Sequence, residues 1–259
     1  MKNKDIFQHP DLYVRQSAQM GVTMKSMFLT GALGGLGKAL TEVYLQAGYR
    51  VYGGDLVKDK KIYEGLRDAY GSCYELFNVD VSGTDSVAAL VRDLKKHTDT
   101  LDVIINAAGI LPPNSAKVIE DFDIDQALKV FDINTLGPLR ITKALLDFVE
   151  KSEDKLIINI SSEAGSLTAH NPNYINRYDY CMSKAGVNMQ TVLLQRYLKP
   201  RNIKMLAIHP GWMKTGMGGA NATVEPIESA RGIYNVGKQY TGRTDAGIFF
   251  DYDGKPRTL

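Results

Sequence analysis

Cysteine is almost absent from this 259-residue chain, which holds only Cys73 and Cys181. Two thiols build no disulfide framework and fit a reducing compartment. Histidine is scarce as well. His9, His97, His170 and His209 are scattered without HExxH or Cys/His spacing, so the sequence contains no recognisable metal site. No sign of charge prevails: 31 Lys and Arg stand against 29 Asp and Glu, for a formal net charge of +2. That balance argues against a basic stripe for nucleic acid. The one local cluster, Arg196, Lys199, Arg201 and Lys204, surrounds a helix end, where cations complement the dipole. Long apolar runs are missing too: none approaches the ~20 residues that span a bilayer. The opening Met1-Lys2-Asn3-Lys4-Asp5 leads into no apolar signal segment. The expectation is a cytoplasmic protein without a membrane partner.

What is present is alternation. Residues 1–25 are polar, broken by Pro10 and Gly21, and read as an N-terminal extension; residues 26–259 read as a single domain. Strands are expected at Ser26–Thr30, Arg50–Gly53, Cys73–Asn78, Asp102–Asn106, Lys155–Ile160, Lys204–His209 and Gly247–Tyr252. Helices are expected at Gly35–Gln46, Lys58–Tyr70, Thr84–His97, Asp125–Val149, Asp179–Leu198 and Pro226–Lys238. Short apolar runs such as Val103-Ile104-Ile105 and Leu156-Ile157-Ile158 imply strands buried on both faces. The predicted fold is α/β: one doubly wound Rossmann domain with a seven-stranded parallel sheet and helices on both faces. Ligands belong beyond the C-terminal strand ends, at the switch point.

The stretch Thr30-Gly31-Ala32-Leu33-Gly34-Gly35-Leu36-Gly37 follows the first strand and opens the first helix. Glycines there permit positive φ, close approach of backbone to a pyrophosphate, and tight helix–strand packing. The helix N-terminus then faces the phosphates. Asp55, after Val51-Tyr52-Gly53-Gly54, stands where an acidic residue meets an adenosine ribose, and Leu56 follows it where an NADP enzyme often carries arginine. NAD is therefore favoured over NADP. Other candidate cofactor residues also fall at strand ends: Asp80 with Val81, then Asn106-Ala107-Ala108-Gly109, and Pro210-Gly211.

Tyr180 and Lys184, four apart, share one face of a helix. An isolated phenol titrates near ~10. A neighbouring ammonium would favour phenolate, and Tyr180 would then exchange a proton with an alcohol or alkoxide oxygen. Ser162 would donate to that same oxygen.

Together these pieces resemble the short-chain dehydrogenase/reductase family from about Ser26 onward. The matching pieces are the Thr30–Gly37 loop, Asp80-Val81, Asn106–Gly109, Asn134 in Phe131-Asp132-Ile133-Asn134, Ser162, Tyr180 with Lys184, and Pro210-Gly211. The resemblance implies a catalytic tetrad of Asn134, Ser162, Tyr180 and Lys184. Lys184 and Tyr180 would also touch the cofactor, and Asn134 would interrupt its helix and hold a water that relays protons to Lys184. Further cofactor contacts would come from Met213 and Thr215. The segment His209–Gly219 and the ending Phe250–Lys255 look like the C-factor/sniffer type of carbonyl reductase.

The implied activity is that of a short-chain alcohol dehydrogenase or carbonyl reductase acting on a small alcohol or carbonyl. Two rivals remain: an extended-type epimerase or dehydratase with tightly held NAD, since the loop also reads Thr-Gly-x-x-Gly-x-x-Gly, and a non-catalytic NAD-sensing module. Apolar residues on several faces of the helices around Asn134–Val149 (Leu139, Ile141, Leu145, Leu146, Phe148) and Asp179–Leu198 (Val187, Met189, Val192, Leu193, Leu194) suggest a homodimer or homotetramer. Ser162 and Tyr180 are 18 apart, longer than is usual in the family. The loop between them is rich in hydrogen-bonding groups (His170, Asn171, Asn173, Tyr174, Asn176, Arg177, Tyr178), and with the mobile segment Trp212–Val224 and the residues just after Gly109 it would line a pocket for a small polar substrate.

Overall fold

A computed structural model describes residues 24–56, 60–112, 116–168 and 174–259. Most of the sequence-predicted N-terminal extension, residues 1–23, lies outside that range, as do Lys58 and residues His170, Asn171 and Asn173 of the lengthened loop. The strands are β1 (Ser26–Thr30), β2 (Arg50–Asp55), β3 (Tyr74–Asn78), β4 (Val103–Asn106), β5 (Leu156–Ile160), β6 (Lys204–His209) and β7 (Phe249–Asp251). They form one parallel sheet in the order β3-β2-β1-β4-β5-β6-β7. The sequence reads this way because β1, β4, β5 and β6 are buried along their whole length, which only a sheet covered on both faces can provide.

The covering helices are α1 (Gly35–Gln46), α2 (Lys60–Tyr70), α3 (Thr84–Leu94), α4 (Ile124–Phe131), α5 (Gly137–Glu150), α6 (Tyr178–Leu198) and α7 (Pro226–Tyr240). One face of the sheet packs Leu29, Val51, Ile105, Ile158 and Leu206 against Leu40 and Val43 of α1 and Ile233 and Val236 of α7. The other packs Phe28, Ile104, Ile157 and Met205 against Leu90 of α3, Ile141, Leu145 and Phe148 of α5, and Leu198 of α6. Each such side chain contributes roughly 1.5–3 kcal/mol by leaving water.

Strand order reverses between β1 and β4, so a crevice opens beyond their C-terminal ends. The register sets that rim level: Thr30 pairs with Gly54 on one side and Asn106 on the other, and Asn106 pairs with Asn159.

Where periodicity predicts one helix, the chain breaks at Asn134, as the resemblance implied. The single helix expected over Asp125–Val149 is three pieces: α4, a π-helical turn at Asp132–Leu136, and α5. In that turn the Gly137 N–H reaches back five residues to the Asp132 carbonyl. One extra residue is thereby absorbed, a distortion common at functional sites. The last strand is also shorter than expected, at three residues.

Candidate active site

The glycine turn is shaped by backbone crowding. Gly31 sits at φ +70°, its N–H donates to the Gly54 carbonyl at 2.8 Å, and a Cβ on it would stand 2.9 Å from Ala108 N. A Cβ on Gly37 would run into the Gly31 carbonyl oxygen, and one on Gly35 would lie 2.5 Å from the Thr215 methyl. Only glycine lets these three backbones and α1 close together at the rim. Gly34 precedes α1 without a side-chain cap, so the first N–H groups of the helix are left for an anion. Asp55, at the tip of β2, accepts from Leu33 N and Leu56 N, each at 2.7 Å, which holds its carboxylate against the turn. This bare, backbone-lined cradle with a carboxylate at its side fits a dinucleotide.

Asp80 is held by Ser82, whose backbone N–H and hydroxyl both donate to Oδ1 (2.9 and 2.6 Å). Those bonds keep its carboxyl below the usual range. Thr30 Oγ1 accepts from both Ala107 N and Ala108 N at 3.1 Å, which ties β1 to the small residues after β4. The Asn106 side chain takes a different course from the rim. Its amide donates to Asn159 Oδ1 at 2.8 Å and to Thr142 Oγ1 at 3.3 Å, and Asn159 donates in turn to Thr191 Oγ1. This buried ladder joins β4 and β5 to α5 and α6.

On the other side of the crevice, Asn134, Ser162, Tyr180 and Lys184 are all buried. The π-helical turn presents the Asn134 amide to the chain after β4: Oδ1 accepts from Ile110 N at 2.8 Å, and Nδ2 donates to Ile110 O at 2.9 Å and to Ser183 Oγ at 3.1 Å. A Cβ on Gly109 would lie 3.3 Å from Asn134 Oδ1 and 3.9 Å from Lys184 Nζ, so these groups share one corner. Lys184 Nζ donates to the Ile160 carbonyl at 2.8 Å and lies 5.7 Å from the centre of the Tyr180 ring. Burial brings the Lys184 ammonium down to about 8. Burial also pushes the Tyr180 phenol well up, with Tyr174 adding to the rise and a hydrogen bond from Ser162 opposing it. The expectation that the lysine makes this phenol acidic thus fails for the protein alone. Desolvation outweighs every other influence, and Tyr180 carries its proton at neutral pH.

Three residues that sequence reasoning passed over hold this set together. Asn188 accepts from Ser161 Oγ at 2.6 Å and donates to Gly165 O at 3.1 Å, clamping both flanks of Ser162. His209 Nδ1 accepts from Glu163 N at 3.3 Å, and burial keeps that imidazole neutral by lowering it to about 4. Arg257 pairs with Glu163 at 3.2 Å and also with Asp251, so the chain after β7 braces the Ser162 turn. Asn188 lies two turns along α6 from Tyr180, but the other two are 46 and 94 residues from Glu163 in sequence and leave no local signal.

Pro210 and Gly211 follow β6 at the rim, with Pro210 O accepting from Ser229 Oγ at 2.7 Å and Gly211 at φ +81°. The segment expected to be mobile, Trp212–Val224, is laced by its own bonds. Trp212 O accepts from Val224 N at 2.9 Å, Lys214 N donates to Val224 O, and the half-exposed indole of Trp212 donates to Gly218 O. Met213 packs on the core, and Thr215 lies over the glycine turn. Leu36 is buried in α1, whereas Leu56 is exposed at the β2 tip and Val81 is buried beneath Gly137. No group of three or more metal-ligating side chains, and no helix long and apolar enough to cross a membrane, occurs among the described residues.

A family model for short chain dehydrogenases matches residues 25–225, and the chain belongs to that family. Within it, the chain is similar to the C-signal protein of Myxococcus xanthus, at 35% identity over 161 residues that span 61% of this chain and 92% of that one. It is also 32% identical over 203 residues to the trans-4-hydroxycyclohexanecarboxylate dehydrogenase of Sinomonas cyclohexanicum, covering 76% of this chain and 75% of that one. Among solved structures it resembles NADPH-bound carbonyl reductase from chicken fatty liver (TM-score 0.83, 26% identity) and carbonyl reductase Sniffer of D. melanogaster (TM-score 0.80, 28% identity). Each of these covers 92% of this chain and 100% of the other. The likeness to C-signal and Sniffer agrees with the C-factor/sniffer character read from the last fifth of the sequence.

Proposed function

We propose that the protein is an NAD-dependent oxidoreductase that interconverts a small alcohol and its carbonyl compound. The observation that carries this reading is the convergence of Ser162, Tyr180, Lys184 and Asn134 on the crevice that also holds the glycine cradle. When bound, nicotinamide supplies or accepts the hydride at the carbinol carbon. Gly31, Leu33, Gly34, Gly35, Leu36 and Gly37 would hold the pyrophosphate, Asp55 and Leu56 the adenosine ribose, and Asp80 and Val81 the adenine. Ala107–Gly109, Pro210-Gly211, Met213 and Thr215 would flank the remainder. Asp55 favours NAD, because its carboxylate accepts from a 2′-hydroxyl and repels a 2′-phosphate.

In the reducing direction the Tyr180 phenol, kept neutral by burial, gives its proton to the oxygen as charge develops there. Ser162 donates to the same oxygen. Lys184 keeps a positive charge beside the ring, and that charge, with the positive ring of an oxidised cofactor, lowers the cost of the phenolate left behind. In the oxidising direction the same phenolate takes the alcohol proton. One hydride and one proton thus join the C=O group, and the alcohol results.

The test is to incubate the protein with NAD and a panel of alcohols while following absorbance of the reduced cofactor. Turnover with at least one small polar alcohol is expected. Cofactor binding without turnover on any alcohol or carbonyl would remove the reading. We further infer a homodimer or homotetramer joined through α5 and α6. Leu139, Met189, Leu193 and Tyr197 are exposed there, while Ile141, Leu145 and Phe148 are spent on the protein's own sheet and Val187 is buried. Light scattering that shows a monomer at micromolar concentration would contradict this. The two free thiols suit a reducing compartment, and we place the protein in the cytoplasm.

A further inference from the structure

The turn that carries Ser162 is held to α6 on both sides of the serine. Before it, Lys184 Nζ donates to Ile160 O at 2.8 Å and Ser161 Oγ donates to Asn188 Oδ1 at 2.6 Å. After it, Asn188 Nδ2 donates to Gly165 O at 3.1 Å. Between these points Ser162 Oγ accepts from Ala164 N at 3.1 Å, so the hydroxyl travels with the turn. The turn also rests on the helix itself: a Cβ on Gly165 would stand 2.6 Å from Ala185 N. Asn188 is 3% exposed, and Ser161 and Gly165 are buried with it. Spacing of four residues sets Tyr180, Lys184 and Asn188 in succession along one side of α6, all three buried. The Gly165 carbonyl can only accept, so the side chain that joins it to the Ser161 hydroxyl must offer a donor at one end and an acceptor at the other. An amide does both.

We propose that Asn188 is a positioning residue: by gripping Ser161 and Gly165 it sets where the Ser162 hydroxyl stands relative to the Tyr180 phenol on the same helix, so that both reach one substrate oxygen. Asn188 acts only through the serine. Without the amide, Ser161 Oγ and Gly165 O lose their shared partner inside the protein, and the turn between them shifts. A displacement of about 1 Å at a reacting group can cost ~10²-fold in rate. This inference rests on the reading of the site as that of an alcohol/carbonyl oxidoreductase.

Asn188→Ala releases the grip and leaves Ser162, Tyr180 and Lys184 unaltered. The expected result is a fall in kcat of about 10–10²-fold with KM and cofactor Kd little changed, because the aim of the hydroxyl matters mainly in the transition state. The deciding measurement is a double-mutant cycle with Ser162→Ala. Once the serine hydroxyl is gone, Asn188→Ala should cost kcat nothing more, although it lowers the melting temperature in both backgrounds. An equal loss of kcat in both backgrounds would show that Asn188 acts through the fold at large, and would overturn the proposal. So would full activity of Asn188→Ala in the presence of Ser162. Should Asn188→Ala fail to fold, Ser161→Ala severs one end of the clamp alone and enters the same cycle. A kcat loss confined to the protein that keeps Ser162 is then expected, and full activity or an equal loss overturns the proposal. Absence of any turnover by the unaltered protein would instead overturn the oxidoreductase reading beneath it.

Discussion

The two walls of the crevice are made of different material. On the β1–β2 side the shape is set by backbone: Gly31, Gly35 and Gly37 are pressed against Ala108, Thr215 and one another. On the β5–α6 side the shape is set by side-chain hydroxyls, amides and an ammonium, all buried and cross-bonded through Asn188, Ser183 and Asn134. The first wall cannot lose function without disturbing the fold, because the same close contacts serve both. The second carries function on single atoms that can be removed while the packing stays.

Mutations at each wall test this contrast. Tyr180→Phe should show the largest effect: kcat falls by about 10²–10⁴-fold, the usual worth of a positioned acid–base group, with little change in cofactor Kd or thermal midpoint. Steady-state kinetics beside a cofactor fluorescence titration would check it, and near-normal kcat would sink the assignment. Gly37→Ala should couple the two properties. Alanine is the better helix former by ~1 kcal/mol, but its methyl meets the Gly31 carbonyl, and overpacking of this kind costs typically about 1–3 kcal/mol. A lower melting temperature together with weaker cofactor binding is expected, and a gain in stability would break the comparison.

Asp55→Ala should act at the first wall alone. kcat/KM with NAD should drop by roughly tenfold, as for one hydrogen bond, and the ratio of NADP to NAD use should rise. An unaltered ratio would show that Asp55 serves only Leu33 N and Leu56 N.

Smaller effects come with pH. Lys184 loses its proton near pH 8, so kcat/KM for carbonyl reduction should decline above that value, and Lys184→Arg should move the decline to higher pH. Stability should respond in the opposite sense. Lys184 and Lys204 titrate at about 8 when folded and at 10.5 when unfolded, so the unfolded chain holds more protons in that window and stability rises with pH. Tyr44, Tyr49 and Tyr74 are raised above 10.0 by burial, so above pH 10 the unfolded chain releases protons first and the gain reverses. Melting curves from pH 7 to 11 should pass through a maximum between these limits.

Much of the first wall was legible in the sequence, because glycine spacing and runs such as Val103-Ile104-Ile105 report backbone requirements directly. The second wall was legible only where residues recur in a known pattern. A helical period continues unbroken through Phe131-Asp132-Ile133-Asn134, yet the chain there takes a π-helical turn, because the Asn134 amide pairs with both backbone groups of Ile110. Hydropathy could not reveal a bond between residues 24 apart. Nor could it divide the apolar residues of α5 and α6 between the sheet and the surface. Ile141 and Leu145 turned inward and Leu139 outward, a division that depends on the helix's rotation against the sheet. Asn106 stands in the expected motif, but its side chain serves the ladder through Asn159 and Thr191.

The Thr215 methyl rests where a side chain on Gly35 would begin, so the segment after β6 and the phosphate-binding turn are in direct touch. Any shift of one is felt by the other, and thermodynamic linkage makes the effect mutual. By whatever factor the cofactor tightens substrate, substrate must tighten the cofactor. On the proposed reading a dinucleotide on the turn would bear on Thr215, and titrations of either ligand with and without the other should then show the same factor of tightening.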